Sequence, residues 1–504
     1  MWEGSKVSSA LLPVIHPVRQ LIPCSEIRAM GFEAVMTNAY TTYKRLSHRA
    51  NEGIHKIIDF DGTVMTDSGG YQVLEFGSVE VDPLEMARFE EKIGSDIAIV
   101  LDKPTGLDVT KSFANRTVIE TLDSAKRTLE VVTKSETIWT LPIQGGKYLD
   151  LVSKSARSSA KLDFGCFALG SPVEVMERYD FSLLVKMIQA SKRGLPPDRP
   201  FHLFGAGHPL IIPLAVALGC DMFDSASYIL YARNDRYISS SGTIRLDQLQ
   251  YLPCQCKICS SVTSAELKSM EKESKVSSIA RHNLFVLKET IEETKQAIWE
   301  GRLWEYVKSR CSNHPLAYEA FKTAVDSSIS FLEIGTPSSK DRGLLVYDKI
   351  DIQRPEIARH QKRISNLNLV RKRRLVIVPE TRSKPFLTSD IFQEIQKLVD
   401  PESTLISCLY PVFGLIPAEI SDVYPVSQIT QIVDEYPQRD FVLNGKGWDR
   451  IDVLLREEDE LTSGWLRNQI NDYSKRRRGR RSVSRKEIVI SHTYKAFKRK
   501  LHQV

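Results

Sequence analysis

No apolar run in the 504-residue chain approaches the ~20 residues that a membrane-spanning helix requires; the longest, PLIIPLAVALGC at 209–220, is interrupted by Pro213. The opening stretch MWEGSKVSSALLPVIHPVRQ has neither the hydrophobic block nor the small-residue cleavage site of a secretory signal, so a cytoplasmic protein is expected. Cysteine is sparse: of eight, Cys254, Cys256 and Cys259 fall within six positions, while Cys24, Cys166, Cys220, Cys311 and Cys408 are scattered. That distribution excludes a disulfide framework, and in a reducing compartment the local cluster points to a metal. No GxGxxG follows a strand-like run, which counts against a Rossmann domain. Internal repeats are absent.

What is present suits a globular protein. Hydrophobic residues make up 42% and charged residues 26%, enough apolar matter for a real core at ordinary surface charge. The length implies about three domains. The net charge of +6 is unevenly placed. Residues 475–504 carry twelve Lys and Arg against one Glu, which leaves the rest of the chain at −5. Within that stretch KRRRGRRSVSRK, with Arg476, Arg477, Arg478, Arg480 and Arg481, is a candidate for contact with nucleic-acid phosphates.

Residues 1–345 alternate short apolar runs with amphipathic segments. AVMTN, GTVMTD, IAIVLD, WTLPIQG, CFALG, FHLFGAG and MFDSAS read as strands. Between them, DPLEMARFEEKIG, the long 109–135 segment and YDFSLLVKMIQASKRG read as helices. Repeated strand–helix units imply a parallel sheet with crossover helices. Many strands end on a polar or small residue, as at Asn38, Asp67, Asp102, Gln144, Gly170 and Asp224. That is where a (β/α)8 TIM barrel collects its chemistry, and a barrel with a zinc-binding insertion is the expected fold. Residues 282–332 read as helical, 346–368 as a polar linker, and 369–455 as a smaller α/β domain. A charged helix and the basic tail fill 456–504.

In PCQCKICSS, Cys254-x-Cys256-x-x-Cys259 lets one loop supply three thiolates, and His282, at the head of a predicted helix, offers the fourth ligand. Three sulfurs and one imidazole make a closed tetrahedral zinc set with no open position, so one structural zinc is expected.

Asp67 in MTDSGGYQ and Asp224 in GCDMFDSASYILYARNDRY each end an apolar strand before small residues. Two carboxylates at one barrel mouth can serve as nucleophile and acid–base partner. MTDSGGYQ, PIQGG, FDSAS and CQCKIC followed by His282, taken in that order, resemble the tRNA-guanine transglycosylases over residues 1 to about 330. FGAGHP, FDSASY, NDRY and HNL are similar to the archaeal branch.

The resemblance implies exchange of guanine 15 in the D-loop of tRNA for 7-cyano-7-deazaguanine, on the way to archaeosine. It would proceed through a covalent aspartyl-ribosyl intermediate, by the logic of a retaining glycosidase. Asp224 matches the nucleophile and Asp67 the acid–base residue, although either carboxylate is chemically suited to attack. Asp102 matches the acceptor of the guanine N–H groups, and Gln144 the amide that reads the carbonyl edge. Ser68 lies beside the acid–base aspartate, Tyr71 offers a stacking face, and backbone from Ala168 through Gly170 to Ser171 supplies further contacts. Arg233 and Arg236 are placed to meet tRNA phosphates. The family further implies a homodimer.

Departures matter too. The archaeal pattern continues into a PUA-type RNA-binding barrel that has no counterpart in the basic tail, so a separate PUA-domain protein is a possible partner. ALGSP differs from the glycine pair expected at that point. The 369–450 region is similar to one shared with archaeosine synthases, so a paralogue that modifies the installed base is an alternative reading. A non-catalytic tRNA-binding subunit is another. Asp67, Asp102, Gln144 and Asp224 together argue against both.

Overall fold

The computed structural model describes residues 10–70, 81–132, 136–380, 385–432, 440–445, 447–455, 460–478 and 487–501. The chain divides into two compact units, with the cut between Phe331 and Leu332.

The first unit is built on eight parallel strands: β1 (Ala10–Pro13), β2 (Ala34–Asn38), β3 (Thr63–Asp67), β4 (Ile97–Ile99), β5 (Ile138–Ile143), β6 (Cys166–Leu169), β7 (Phe201–Leu203) and β8 (Met222–Ser225). They run in the order β1-β8-β7-β6-β5-β4-β3-β2. The ring closes through a parallel bridge between Val14 and Met36, where the Ile15 N–H donates to the Met36 carbonyl at 2.8 Å. This is the expected TIM barrel. Seven of its strands are the apolar runs singled out in the sequence; the eighth is the short ALLP segment at its start.

The crossover helices begin where the chain supplies a cap. Asp82 accepts from the Leu84 N–H and Pro83 opens the helix Pro83–Lys92; Thr110 caps Lys111–Val131; Asp180 caps Phe181–Lys192. In the longest of these, Ala114, Val118, Thr121, Ala125 and Thr128 are buried, a stripe at helical spacing.

Inside the barrel Leu12, Met36, Met65 and Ile99 pack as one layer. Successive residues of a strand point to opposite faces, so Asn38 and Asp67, two residues beyond Met36 and Met65, project to the same side one layer higher. Strand period alone therefore lifts these polar groups to the mouth of the barrel.

After β8 come a hairpin, β9 (Arg236–Ser239) with β10 (Gly242–Arg245), and then the cysteine loop. The helix that follows spans Lys272–Trp299. His282 therefore sits well inside it, not at its head, because the serine- and lysine-rich stretch before it continues the helical stripe through Val276, Ile279 and Ala280.

The second unit has a five-stranded sheet in the order β14-β13-β12-β16-β17. Its members are β12 (Arg374–Pro379), β13 (Thr404–Tyr410), β14 (Gly414–Pro417), β16 (Arg450–Leu454) and β17 (Glu487–Ser491); only the β13–β14 pair is antiparallel. Leu344–Val346 (β11) and Ile429–Gln431 (β15) form a small parallel pair, and Pro355–Ser365 is a helix, so 346–368 carries structure of its own. Likewise β17 comes from the stretch read as basic tail, and the helix Tyr494–Leu501 behind it buries Phe497 and Leu501. Among the described residues no helix is long and apolar enough to cross a membrane.

Candidate functional site

A cavity of about 1120 Å³ opens at the C-terminal ends of the barrel strands, and Asn38, Asp67, Asp102, Gln144, Ser171 and Asp224 all line it. Asp67 ends β3 in register with Asn38 of β2. Asn38 caps the next helix, its Oδ1 accepting the Thr41 N–H at 2.7 Å. Its Nδ2 is thereby turned to Asp67 and donates to Oδ2 at 3.1 Å. The other oxygen accepts the Gly69 N–H at 3.1 Å. Burial pushes the Asp67 carboxyl up to about 6; the Gly69 N–H opposes the rise, and the neighbouring charge of Asp224 adds to it.

The glycine pair after Asp67 has a steric reason. Gly69 turns the chain back at φ +99, and Gly70 lies so close to Asp102 that a Cβ there would sit 2.1 Å from its Oδ1. Asp102 is pushed up to about 7, first by burial, against the pull of a hydrogen bond from Gln144 and with a further push from Asp67.

Gln144 is locked. Its Oε1 accepts from the Thr105 N–H at 3.1 Å, the Thr105 hydroxyl at 2.8 Å and the Ser171 hydroxyl at 3.1 Å. Its Nε2 faces Asp102 and donates to Oδ2. With the oxygen filled, the amide can offer a ligand only its remaining N–H. A Cβ on Gly170 would meet Nε2 at 2.3 Å, which accounts for that glycine; the Gly170 N–H itself is spent on the Ile143 carbonyl at 2.9 Å. Ala168 lies inside β6 opposite Pro142. Ser68 is fully buried, and its hydroxyl finds no partner among the described residues. Tyr71 lies outside the described residues.

Asp224, on β8 opposite Leu12, is held from one side. Its Oδ1 accepts the Gly205 N–H at 2.9 Å and faces His202 Nε2 at 3.0 Å. Among the described residues no hydrogen bond reaches Oδ2, and none of Asp67, Asp102 and Asp224 pairs with a lysine or arginine.

Cations stand around the cavity instead. Arg233 and Arg236 line it, together with Arg19, Lys44 and Arg45. The His16 imidazole is held below its usual range by burial and by Arg45, Arg19 and Arg233, a sign of how positive this rim is. Arg476, Arg477 and Arg478 end the helix Glu460–Arg478, whereas Arg480 and Arg481 lie outside the described residues.

The four sequence-predicted metal ligands do meet: donor atoms of Cys254, Cys256, Cys259 and His282 lie within 4.8 Å of one another. His282 turns Nδ1 to the sulfurs, 3.5 Å from Cys256 and 3.4 Å from Cys259. Its Nε2 donates to the Ile238 carbonyl at 2.7 Å, which fixes the tautomer a ligand needs. Such spacing suits one tetrahedral ion with bonds of ~2.0–2.3 Å. Tyr237 stacks on the imidazole at 3.6 Å, and the next residue, Asn283, bonds back to the Ile238 N–H and to the Tyr228 carbonyl. The knot thus ties the long helix to the strand end beside the cavity.

Chemically, the cavity offers one carboxylate with a free oxygen, a second able to carry a proton near neutral pH, and a third paired with an amide N–H. The last two groups complement the edge of a heterocycle that has N–H donors next to a carbonyl. Sequence reasoning missed His202 and Thr105 as members of this site, counted Ser171 for its backbone and not its hydroxyl, and used Asn38 only as a strand end. The hydroxyls of KPTG and ALGSP directly after two strand ends were the available signal.

Comparison with known proteins agrees with this geometry. The family profile described as queuine tRNA-ribosyltransferase matches residues 6–316. A tRNA-guanine(15) transglycosylase of Sulfolobus acidocaldarius is 38% identical over 84% of this chain and 84% of its own length. That of Pyrobaculum aerophilum is 41% identical over 83% of this chain and 84% of its own length. That of Methanocaldococcus jannaschii is 40% identical, over 84% of this chain and 65% of its own length.

Proposed function

Since the chain belongs to the queuine tRNA-ribosyltransferase family and is a transglycosylase acting on tRNA, we propose that it exchanges guanine 15 of tRNA for 7-cyano-7-deazaguanine through a covalent aspartyl-ribosyl intermediate, a step toward archaeosine. The observation that carries this reading is the meeting of Asp67, Asp102, Gln144 and Asp224 in one cavity, with no lysine or arginine among the described residues paired to the acids.

Asp224 Oδ2, free of hydrogen bonds among the described residues, attacks the anomeric carbon of the ribose. The C–N bond to guanine breaks, and the departing base takes its electron pair and a proton from Asp67, whose raised pKa keeps a proton available near neutral pH. The incoming base gives its N–H proton back to Asp67, attacks the same carbon and releases Asp224. Asp102 accepts the N–H groups of the base, and Gln144 donates its remaining N–H to the carbonyl. Ser68, whose hydroxyl has no partner among the described residues, adds a contact to the bound base, and Tyr71 a stacking face. The nucleotide must leave its stack, at a cost of a few kcal/mol, and Arg233 and Arg236 with the other rim cations recover this on the flanking phosphates. Arg476, Arg477, Arg478, Arg480 and Arg481 add further positive charge for tRNA phosphates.

The Cys254, Cys256, Cys259 and His282 set holds one structural zinc, which fastens the cysteine loop and takes no part in the chemistry. Elemental analysis should find one zinc per chain, lost in Cys259→Ser together with thermal stability; a metal-free wild type of full stability would end this assignment.

The main test is exchange of labelled guanine in a full-length tRNA transcript, with an adenine-15 transcript as control. Asp224→Asn should lower exchange by roughly 10⁴-fold or more and yield no protein–RNA adduct on a denaturing gel. Asp67→Asn should lose about 10²–10⁴-fold. Exchange into the adenine-15 control, or wild-type rates in Asp224→Asn, would refute the reading.

A further inference from the structure

The His202 side chain is completely buried on β7 and is not among the residues lining the cavity, yet its Nε2 lies 3.0 Å from Asp224 Oδ1. It is placed there by register: His202 pairs with Met222 across β7 and β8, and Asp224 stands two residues farther along the same face. The ring packs edge-on against Phe204, with centroids 4.9 Å apart. Among the described residues Nδ1 has no hydrogen-bond partner. An N–H buried without an acceptor is costly, whereas a bare ring nitrogen is much less so. The proton of the ring therefore belongs on Nε2, where it is donated to Asp224.

We propose that His202 is a positioning residue for the nucleophile: with the Gly205 N–H it forms a two-donor clamp on Asp224 Oδ1 that selects Oδ2 for attack and steadies the carboxylate when it is released. The proposal rests on the assignment of Asp224 as nucleophile. In the first step Oδ2 forms its bond to the anomeric carbon while the bond to guanine breaks, and Oδ1 becomes the carbonyl oxygen of the ester. In the second step the incoming base bonds to that carbon and the carbon–Oδ2 bond breaks, its electron pair returning to the carboxylate. Charge then reappears on Oδ1, where two donors at 3.0 and 2.9 Å already wait. Preformed donors aimed at developing charge need no reorganisation when it arrives, and removing one costs about 10²–10³ in kcat in comparable sites.

The clamp explains a contrast within the cavity. Asp67 receives one donor on each oxygen, as suits a group that must pass a proton from either. Asp224 receives both donors on one oxygen and, among the described residues, none on the other, as suits a group that must form a bond.

The test compares His202→Phe, which keeps a ring and removes the donor, with His202→Gln, whose amide N–H can reach the place of Nε2. His202→Phe should lower kcat for guanine exchange by about 10²-fold, with KM for tRNA and guanine affinity within a few-fold of wild type, and should slow the appearance of the adduct. His202→Gln should regain at least a tenth of the wild-type kcat. Melting curves and guanine binding separate these effects from misfolding. Equal kcat in wild type and His202→Phe, or equal losses in the Phe and Gln variants, would overturn the clamp. If both variants fail to fold, nitrogen chemical shifts of histidine-labelled wild-type protein decide: a proton on Nδ1 of His202 overturns the proposal and one on Nε2 upholds it. Failure of the underlying assignment has its own signature, since adduct formation by Asp224→Asn removes the nucleophile whatever His202 does.

Discussion

In the second unit Glu356 is 3% exposed and meets two cations, Arg354, whose Nη2 is 3.2 Å away, and Lys340. Asp452, equally buried, accepts from Arg374 at 2.7 Å and from Arg450 at 3.1 Å. In the barrel, Asp224 is also buried and Asp67 and Asp102 are half-buried, but amides, backbone N–H groups and an imidazole hold them. Where an acid serves the fold, the chain sets a full positive charge beside it. Where it serves the cavity, the chain supplies hydrogen bonds and withholds the charge, so the carboxylate stays able to bind protons and substrate. The titration behaviour follows. Burial alone would push Glu356 up, but Arg354 and Lys340 override it and bring the carboxyl down to about 2. Burial meets no such opposition at Asp102, which rises to about 7.

The largest effect expected from this contrast lies in the second unit. Glu356→Gln removes the buried carboxylate that Arg354 and Lys340 share and should cost about 3–5 kcal/mol in denaturant unfolding, without changing exchange activity per folded molecule. In the wild type the contribution of Glu356 is complete above about pH 4.5, the unfolded value, and is lost as pH falls toward 2. Near-neutral stability in Glu356→Gln at pH 7 would mean that the two clusters do not differ as argued.

Asp102 should behave with the opposite sign and a smaller size. Its pKa is raised from 3.8 to about 7, so its contribution to stability is complete below about pH 4 and is lost as pH rises through 7. Asp102→Asn keeps an oxygen to accept from Gln144 and cannot ionise. It should melt higher than wild type at pH 8, by on the order of 1 kcal/mol, with the gain fading at pH 4, while guanine binding is lost at both. A variant less stable than wild type at pH 8 would break the comparison from the other side.

Much of this was legible in the chain because barrel strands are short apolar runs that end on a polar residue. AVMTN and GTVMTD show both the strand and the group it delivers. β1 was harder: four residues ending in proline carry too little pattern, and it becomes a strand only by pairing with β8. β17 was hidden because its alternating EIVIS lies in a stretch dominated by lysine and arginine. In the site, Asp67, Asp102, Gln144 and Asp224 stand at strand ends and could be found there. His202 could not: inside FHLF it reads as one more aromatic core residue, and its meaning comes from a contact across two strands, 22 residues away in sequence. The closed set Cys254, Cys256, Cys259 and His282 was visible from spacing, whereas the helical frame around His282 was not, since a serine-rich exposed face hid the stripe of Val276 and Ile279.

The fifth strand of the second unit sets an order on the making of this protein. Ser225 ends the last barrel strand, so all eight barrel strands have been synthesised before any strand of the second unit. The other sheet waits: β16 has no neighbour on its outer side until Glu487–Ser491 is made, and Arg374 and Arg450 reach carbonyls at Leu501 and Lys500. A nascent chain stalled between residues 455 and 486 therefore holds every barrel strand and an open edge on β16 of the other sheet.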